Sequence, residues 1–175
     1  MTNARHSMDS PDWMTPVPYV KAAREVMGGI DLDPASDDVA NRTVKATQYY
    51  TPMENGLDRA WRGRVFLNPP GGLVREFWLK LMESPEVEQC VWIGYSVEQL
   101  QYLQAIRAPS TPLQYPLCFP RKRIAFVKPG QAKNAPSHAN YVAYIGPNVV
   151  KFCKTFAVFG QWACPYVNCE DWEYM

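Results

Sequence analysis

Arg64-Val65-Phe66-Leu67-Asn68-Pro69-Pro70 is the stretch that decides the fold. Its short apolar run stands between Gly63 and two prolines that no helix interior accepts, so it reads as a buried strand running into a rigid loop. Toward the N-terminus, Ile30-Asp31-Leu32-Asp33 followed by Pro34 reads as another strand, ending in a carboxylate. Before it, Tyr19, Val20, Ala22, Ala23, Val26 and Met27 keep helical spacing from Pro18 to the Gly28-Gly29 stop. Ser36 looks like the cap of a short helix through Ala40, and residues 46–50 like a further strand. Toward the C-terminus, the pattern predicts a helix over 72–82, a strand over 90–94 and a helix over 97–106. Past Pro109 it predicts strands only, over 117–119, 123–127, 141–145 and 152–159, with a loop over 128–137. Strand–helix alternation followed by an all-strand finish predicts an α/β fold, a doubly wound and mostly parallel sheet with an antiparallel C-terminal edge.

A chain of 175 residues has room for one core. Residues 1–12 read as a flexible lead-in and 13–175 as a single domain. Apolar residues make up 47% and charged residues 20%, which excludes disordered, coiled-coil and collagen classes. The net charge of +1 excludes a binder that holds nucleic acid by overall charge, so a polyanion must meet a local patch. No apolar run is long enough to span a bilayer and the N-terminus lacks the apolar core of a signal peptide, so the expected location is the cytoplasm, with no membrane partner. The five cysteines are odd in number and form no Cys-x-x-Cys, so no disulfide framework is expected. Cys164, Cys169 and His138 fall short of the four ligands of structural zinc, so no metal is expected either. No obligate protein partner is indicated. Most of the aromatic residues read as core.

In open α/β sheets ligands sit beyond the carboxyl ends of the strands, which puts Asp33-Pro34-Ala35 and Asn68-Pro69-Pro70 at one shared crevice. Two successive prolines fix the backbone and remove two donors, leaving the Asn68 side-chain oxygen and the Pro69 carbonyl as aimed acceptors. Such a pair suits an amino group. Accepting both of its N–H bonds points the nitrogen lone pair at an electrophile, which is catalysis by positioning and electrostatics. An ordinary turn after a strand is the alternative for the tripeptide alone.

The context adds to this. Trp13-Met14-Thr15-Pro16, Gly29-Ile30-Asp31-Leu32-Asp33-Pro34-Ala35-Ser36, Ala40-Asn41, Gly56-Leu57-Asp58, Trp61, Asn68-Pro69-Pro70 and Arg121-Lys122-Arg123-Ile124-Ala125-Phe126 follow one another in an order that resembles the phage-type DNA N6-adenine methyltransferases. The resemblance spans about residues 12 to 160 and implies a Rossmann-like methyltransferase sheet, S-adenosylmethionine as cofactor, and methyl transfer to the N6 amino nitrogen of adenine in DNA, in a host-cell cytoplasm if the chain is phage-encoded. By the same resemblance Asn68, Pro69 and Pro70 are catalytic. Asp31, Asp33, Pro34 and Ala35 would line the cofactor, Asp33 meeting its methionine amino group or its ribose. Trp13, Thr15 and Pro16 would help to cover the cofactor, and Asp58 would accept from its adenine amino group or stand as a loop carboxylate. Asn-Pro-Pro alone does not separate adenine N6 from cytosine N4, RNA or a protein amide. The family continues Asn-Pro-Pro with an aromatic that stacks on the flipped base. This chain has Gly71-Gly72, leaving Trp13, Phe77, Trp78, Tyr95 or Tyr115 to lend a ring from elsewhere. Arg121, Lys122 and Arg123 form the basic triplet expected to meet DNA phosphates.

Overall fold

A computed structural model describes residues 13–108, 110–127 and 138–165. The expectations for residues 1–12, for the 128–137 loop and for Cys169 lie outside the described residues. Helix α1 (Val17–Met27) carries Pro in its first turn, where no N–H bond is lost, and stops at Gly28, whose φ of 78° suits glycine. Strand β1 (Leu32–Asp33) follows, and then α2 (Asp38–Val44). The cap of α2 is Asp37 rather than Ser36: the Asp37 carboxylate accepts from Val39 N at 2.6 Å and Ala40 N at 2.7 Å. Strands β2 (Gln48–Tyr49) and β3 (Gly63–Leu67) are joined through a 3₁₀ turn at Gly56–Asp58. A second 3₁₀ turn, Gly71–Leu73, leads into α3 (Val74–Met82). Then come β4 (Val87–Gly94), α4 (Glu98–Ala105), β5 (Leu117–Pro120), β6 (Tyr141–Ile145), α5 (Val149–Phe156) and β7 (Gly160–Ala163).

The strands form one seven-stranded sheet in the order β2-β1-β3-β4-β6-β5-β7. The first four are parallel, and β6, β5 and β7 are joined by antiparallel pairings. Side chains alternate across the strands and sort into two cores. Phe66, Val91, Ile93, Val142 and Tyr144 pack with α1 and α5 on one face, whereas Val65, Leu67, Cys90, Trp92, Tyr141 and Ala143 pack with α3 and α4 on the other. Trp61, Trp78 and Trp92 lie in the second core, where Trp78 meets Trp92 edge-on at 5.0 Å, as the expectation of an aromatic-rich core requires. Removing one such ring costs ~3–5 kcal/mol.

The C-terminal third departs from the strand-only expectation. Residues 152–159 do not form a strand. Phe152, Cys153 and Phe156 are buried at spacings of one helical turn, and the segment is α5, with the chain turning back into the unanticipated β7. Residues 123–127 do alternate, with Ile124 and Phe126 buried and Arg123, Ala125 and Val127 exposed, but they join no ladder among the described residues. Ile124 N donates to the Asn140 side chain at 2.7 Å instead, and Val127 alone bridges to Met14. No helix among the described residues is long and apolar enough to cross a membrane.

Candidate functional site at the carboxyl ends of three parallel strands

Strands β1, β3 and β4 are neighbours in the sheet and run in the same direction, so Asp33, Asn68 and Tyr95 emerge side by side at their carboxyl ends. They border a cavity of about 280 Å³ whose walls also include Trp13, Thr15, Ala35, Ser36, Pro69, Pro70, Phe66 and Phe126. This is the crevice expected of an open α/β sheet.

Asp33 is only 3% exposed. Burial pushes its carboxyl from 3.8 up to about 7, Asp37 adds to the rise, and the Ala35 N–H, donating from 3.2 Å, pulls it part of the way back. The site thus holds a carboxyl whose charged form has no counter-charge among the described residues. Two more polar groups beside it are unsatisfied: Thr15 Oγ1 and Ser36 Oγ are buried without a hydrogen-bond partner among the described residues. A buried hydroxyl left unpaired costs ~1–3 kcal/mol. Two such hydroxyls and the buried Asp33 carboxyl on one cavity wall are what a polar ligand would satisfy.

Asn68 is fixed from outside the strand. Its Nδ2 donates to the Trp13 carbonyl at 2.8 Å, which leaves Oδ1 as the atom available to accept from a ligand. The roof over it is tied down by a reciprocal backbone pair, Met14 N to Val127 O at 2.8 Å and Val127 N to Met14 O at 2.9 Å. Asn140 braces the far wall, donating to Tyr95 O and accepting from Ile124 N. Of the rings considered as replacements for an aromatic at 71, Trp13 and Tyr95 border the cavity, and Tyr95 lies 4.7 Å from the His138 ring. Phe77 and Trp78 are buried in the core, and Tyr115 packs edge-on to Trp78. Gly71 and Gly72 also border the cavity, and a Cβ built on either would meet nothing within 4 Å.

The remaining expected site residues lie apart from this cavity. Asp31 is bound by Arg64, which donates from Nε at 2.8 Å, from Nη2 at 2.6 Å and from its backbone N at 2.8 Å. Those bonds hold the Asp31 carboxyl below its ordinary range and tie β1 to β3. Asp58 accepts from Asn55 Nδ2 at 2.6 Å. Its neighbour Gly56 comes so close to the Pro34 carbonyl that any side chain there would collide, so the Gly-Leu-Asp turn braces the loop after β1. Pro16 serves α1, its carbonyl accepting from Tyr19 N at 3.0 Å. Arg121, Lys122 and Arg123 are exposed, with the Arg121 backbone N donating to Phe159 O at 2.9 Å.

Sequence reasoning missed Ser36 as a wall residue by assigning it to a helix cap, and it missed Phe66 and Phe126 altogether. Applying the strand-end rule to β4 as well as β1 and β3 would have brought Tyr95 into the crevice. Compared with known protein families and with curated proteins, the chain matches none of them.

Proposed function

We propose that the chain is an S-adenosylmethionine-dependent methyltransferase, built on a Rossmann-like methyltransferase sheet, that methylates the N6 amino nitrogen of adenine in DNA. One observation carries the reading: a buried carboxyl, two buried hydroxyls unpartnered among the described residues and the Asn68-Pro69-Pro70 loop meet in a single cavity at the carboxyl ends of parallel strands. The donor and acceptor set fits the cofactor. Asp33 would take its ammonium or ribose hydroxyls and would regain its charge in doing so. Thr15 Oγ1 and Ser36 Oγ would pair with its polar groups, while Trp13 and Ala35 enclose it. When bound, the cofactor supplies an electrophilic methyl group.

The chain's own residues supply orientation. Asn68 Oδ1 and the Pro69 carbonyl accept the N–H bonds of an entering amino group and direct its lone pair into the cavity. The Trp13 carbonyl keeps the Asn68 amide from rotating, so the acceptor geometry is set before the substrate arrives. Two prolines hold the loop rigid. Arg121, Lys122 and Arg123 would engage phosphates of the DNA backbone.

The test is incubation of the protein with methyl-labelled cofactor and unmethylated DNA, RNA or protein, followed by mass spectrometry of nucleosides and peptides. Label at N6-methyladenine in DNA is the expected result. Label on cytosine, RNA or an amide moves the target, and saturable cofactor binding without transfer to any of them identifies a binding protein instead.

A further inference from the structure

The strap formed by residues 123–127 joins no ladder among the described residues, so something other than sheet pairing sets its position. Its buried Ile124 and Phe126 side chains sink it into the core, but apolar contact is non-directional and would let the strap slide. Direction comes from Asn140. This residue stands immediately before β6, whose Tyr141 pairs with Gly94 at the end of β4, so its backbone belongs to the rim of the sheet. It is buried, and both halves of its amide are used: Nδ2 donates to Tyr95 O at 2.5 Å and Oδ1 accepts from Ile124 N at 2.7 Å. Turning this amide over would set donor against donor and acceptor against acceptor, so its orientation is fixed.

From Ile124 the hydrogen bonds run on to Asn68. Phe126 N donates to Ile124 O at 3.1 Å, Val127 and Met14 exchange their reciprocal pair, and the carbonyl of Trp13, next to Met14, accepts from Asn68 Nδ2 at 2.8 Å. Asn68 follows β3 and Tyr95 follows β4, and these two strands are neighbours. The series therefore starts and finishes on adjacent strand ends and closes a ring whose members Trp13, Met14, Asn68, Tyr95 and Phe126 all border the cavity. The last bond matters because an amide side chain can turn over. While Trp13 holds Nδ2, Oδ1 faces the ligand; with Trp13 displaced the two orientations become comparable, and one of them aims a donor at the entering amino group.

We infer that Asn140 is a positioning residue for Asn68: by fixing the strap it keeps Trp13 where its carbonyl orients the Asn68 amide. Asn140 does not itself border the cavity and acts through the strap and the Tyr95 carbonyl. Its role in turnover rests on the proposed methyltransferase reading, whereas its hold on the Asn68 amide does not.

The readout is the Asn68 side chain itself, as the solvent exchange of its amide protons in the isotope-labelled full chain, with the resonances assigned by their disappearance in Asn68→Ala. Two variants cut the ring at different places. Asn140→Leu removes both of its bonds at similar volume, and Val127→Pro removes the donor to Met14 O while leaving Asn140 intact. Asn140→Asp is the conservative control, since it keeps an oxygen for Ile124 N. Exchange at Asn68 should speed ~5- to 10-fold in both cutting variants, the worth of one hydrogen bond, and stay within about threefold of the parent in the control, while backbone amides of β3 and β4 keep their protection. In the same variants kcat on unmethylated genomic DNA should fall ~10- to 100-fold, more than S-adenosylmethionine affinity falls. Parent-like exchange at Asn68 in a folded Asn140→Leu overturns the inference and leaves Asn140 a local brace; parent-like exchange in Val127→Pro overturns the route through the strap. If Asn140→Leu does not fold, Asn140→Ser, too short to span both partners, decides on the same resonances. Faster exchange with kcat unchanged refutes the role in turnover. If the parent methylates nothing, the proposed function falls and the exchange at Asn68 decides the inference alone.

Discussion

Replacing Asp33 by Asn should stabilise the protein and weaken cofactor binding, and the two effects should part with pH in a direction the structure fixes. The Asp33 carboxyl titrates near 7 in the folded chain against 3.8 in its ordinary state, because burial disfavours its charged form. Below about pH 4 the carboxyl is protonated in folded and unfolded chains alike. Between pH 4 and 7 the unfolded chain releases that proton and the folded chain keeps it, so this group's contribution to stability falls as pH rises. Above 7 the folded state carries the full cost of a buried charge. A difference of about 3 pH units corresponds to roughly 4 kcal/mol. Asn has the same shape and no charge, so Asp33→Asn should match the parent near pH 4 and exceed it in stability by an amount that grows toward ~4 kcal/mol by pH 8. Urea unfolding of both proteins across this range measures the difference directly. Other carboxyls are common to both and cancel. A gap independent of pH would show that Asp33 ionises normally and would remove the argument that it waits for a cation. In the same proteins, calorimetry should find S-adenosylmethionine bound at least several-fold more weakly by Asp33→Asn. Parent affinity should rise with pH up to about 7, since the ligand selects the ionised carboxyl.

Three further outcomes are expected. Asn68→Ala should lower turnover far more than cofactor affinity, the pattern of a contact made in the transition state; single-turnover rates beside calorimetry decide it, and a collapse of cofactor binding with turnover per complex intact would assign Asn68 to the cofactor. Neutralising Arg121, Lys122 and Arg123 should weaken DNA binding for all sequences and flatten its salt dependence by about 1 unit of slope per lost phosphate contact, whereas an unchanged slope returns the triplet to ordinary surface. Gly71→Tyr should leave stability within about 0.5 kcal/mol, because the Gly71 backbone is not left-handed and a Cβ there meets nothing, so thermal melting that drops by many degrees would contradict the open space at this position.

The parts of the site that sequence reveals are those where covalent geometry speaks locally. Asn68-Pro69-Pro70 after an apolar run, and Asp33-Pro34 after another, announce strand ends whatever surrounds them, and both reach the cavity. Asp31 shows the limit, because it shares the same short strand region as Asp33 and only the arrival of Arg64 from the next strand separates a structural carboxylate from a cavity one. The α5 segment misleads because its Phe, Cys, Thr and Val residues favour strands intrinsically, yet the one-turn spacing of Phe152, Cys153 and Phe156 lets a helix bury them all against α1. At 123–127 the alternation is genuine but its hydrogen-bond partner is a side chain, Asn140, which no period can disclose. Ser36 resembles a cap because serine usually is one, and here the adjacent Asp37 takes that place and leaves the hydroxyl to the cavity.

The bond pair between Met14 and Val127 bears on how the molecule is made. A ribosome releases the chain from its N-terminus at ~5 to 20 residues per second, so Trp13 and Met14 emerge roughly 6 to 23 s before their partner strap exists. By then all four parallel strands, complete at Gly94, can already be paired. The nascent protein therefore passes through an interval in which the four parallel strands can stand paired while the strap over the crevice is still absent. The strap is made later than the strand-end walls, and an interrupted chain that ends before residue 127 would carry the wall residues from Trp13 to Tyr95 without the Met14–Val127 pair that closes over them.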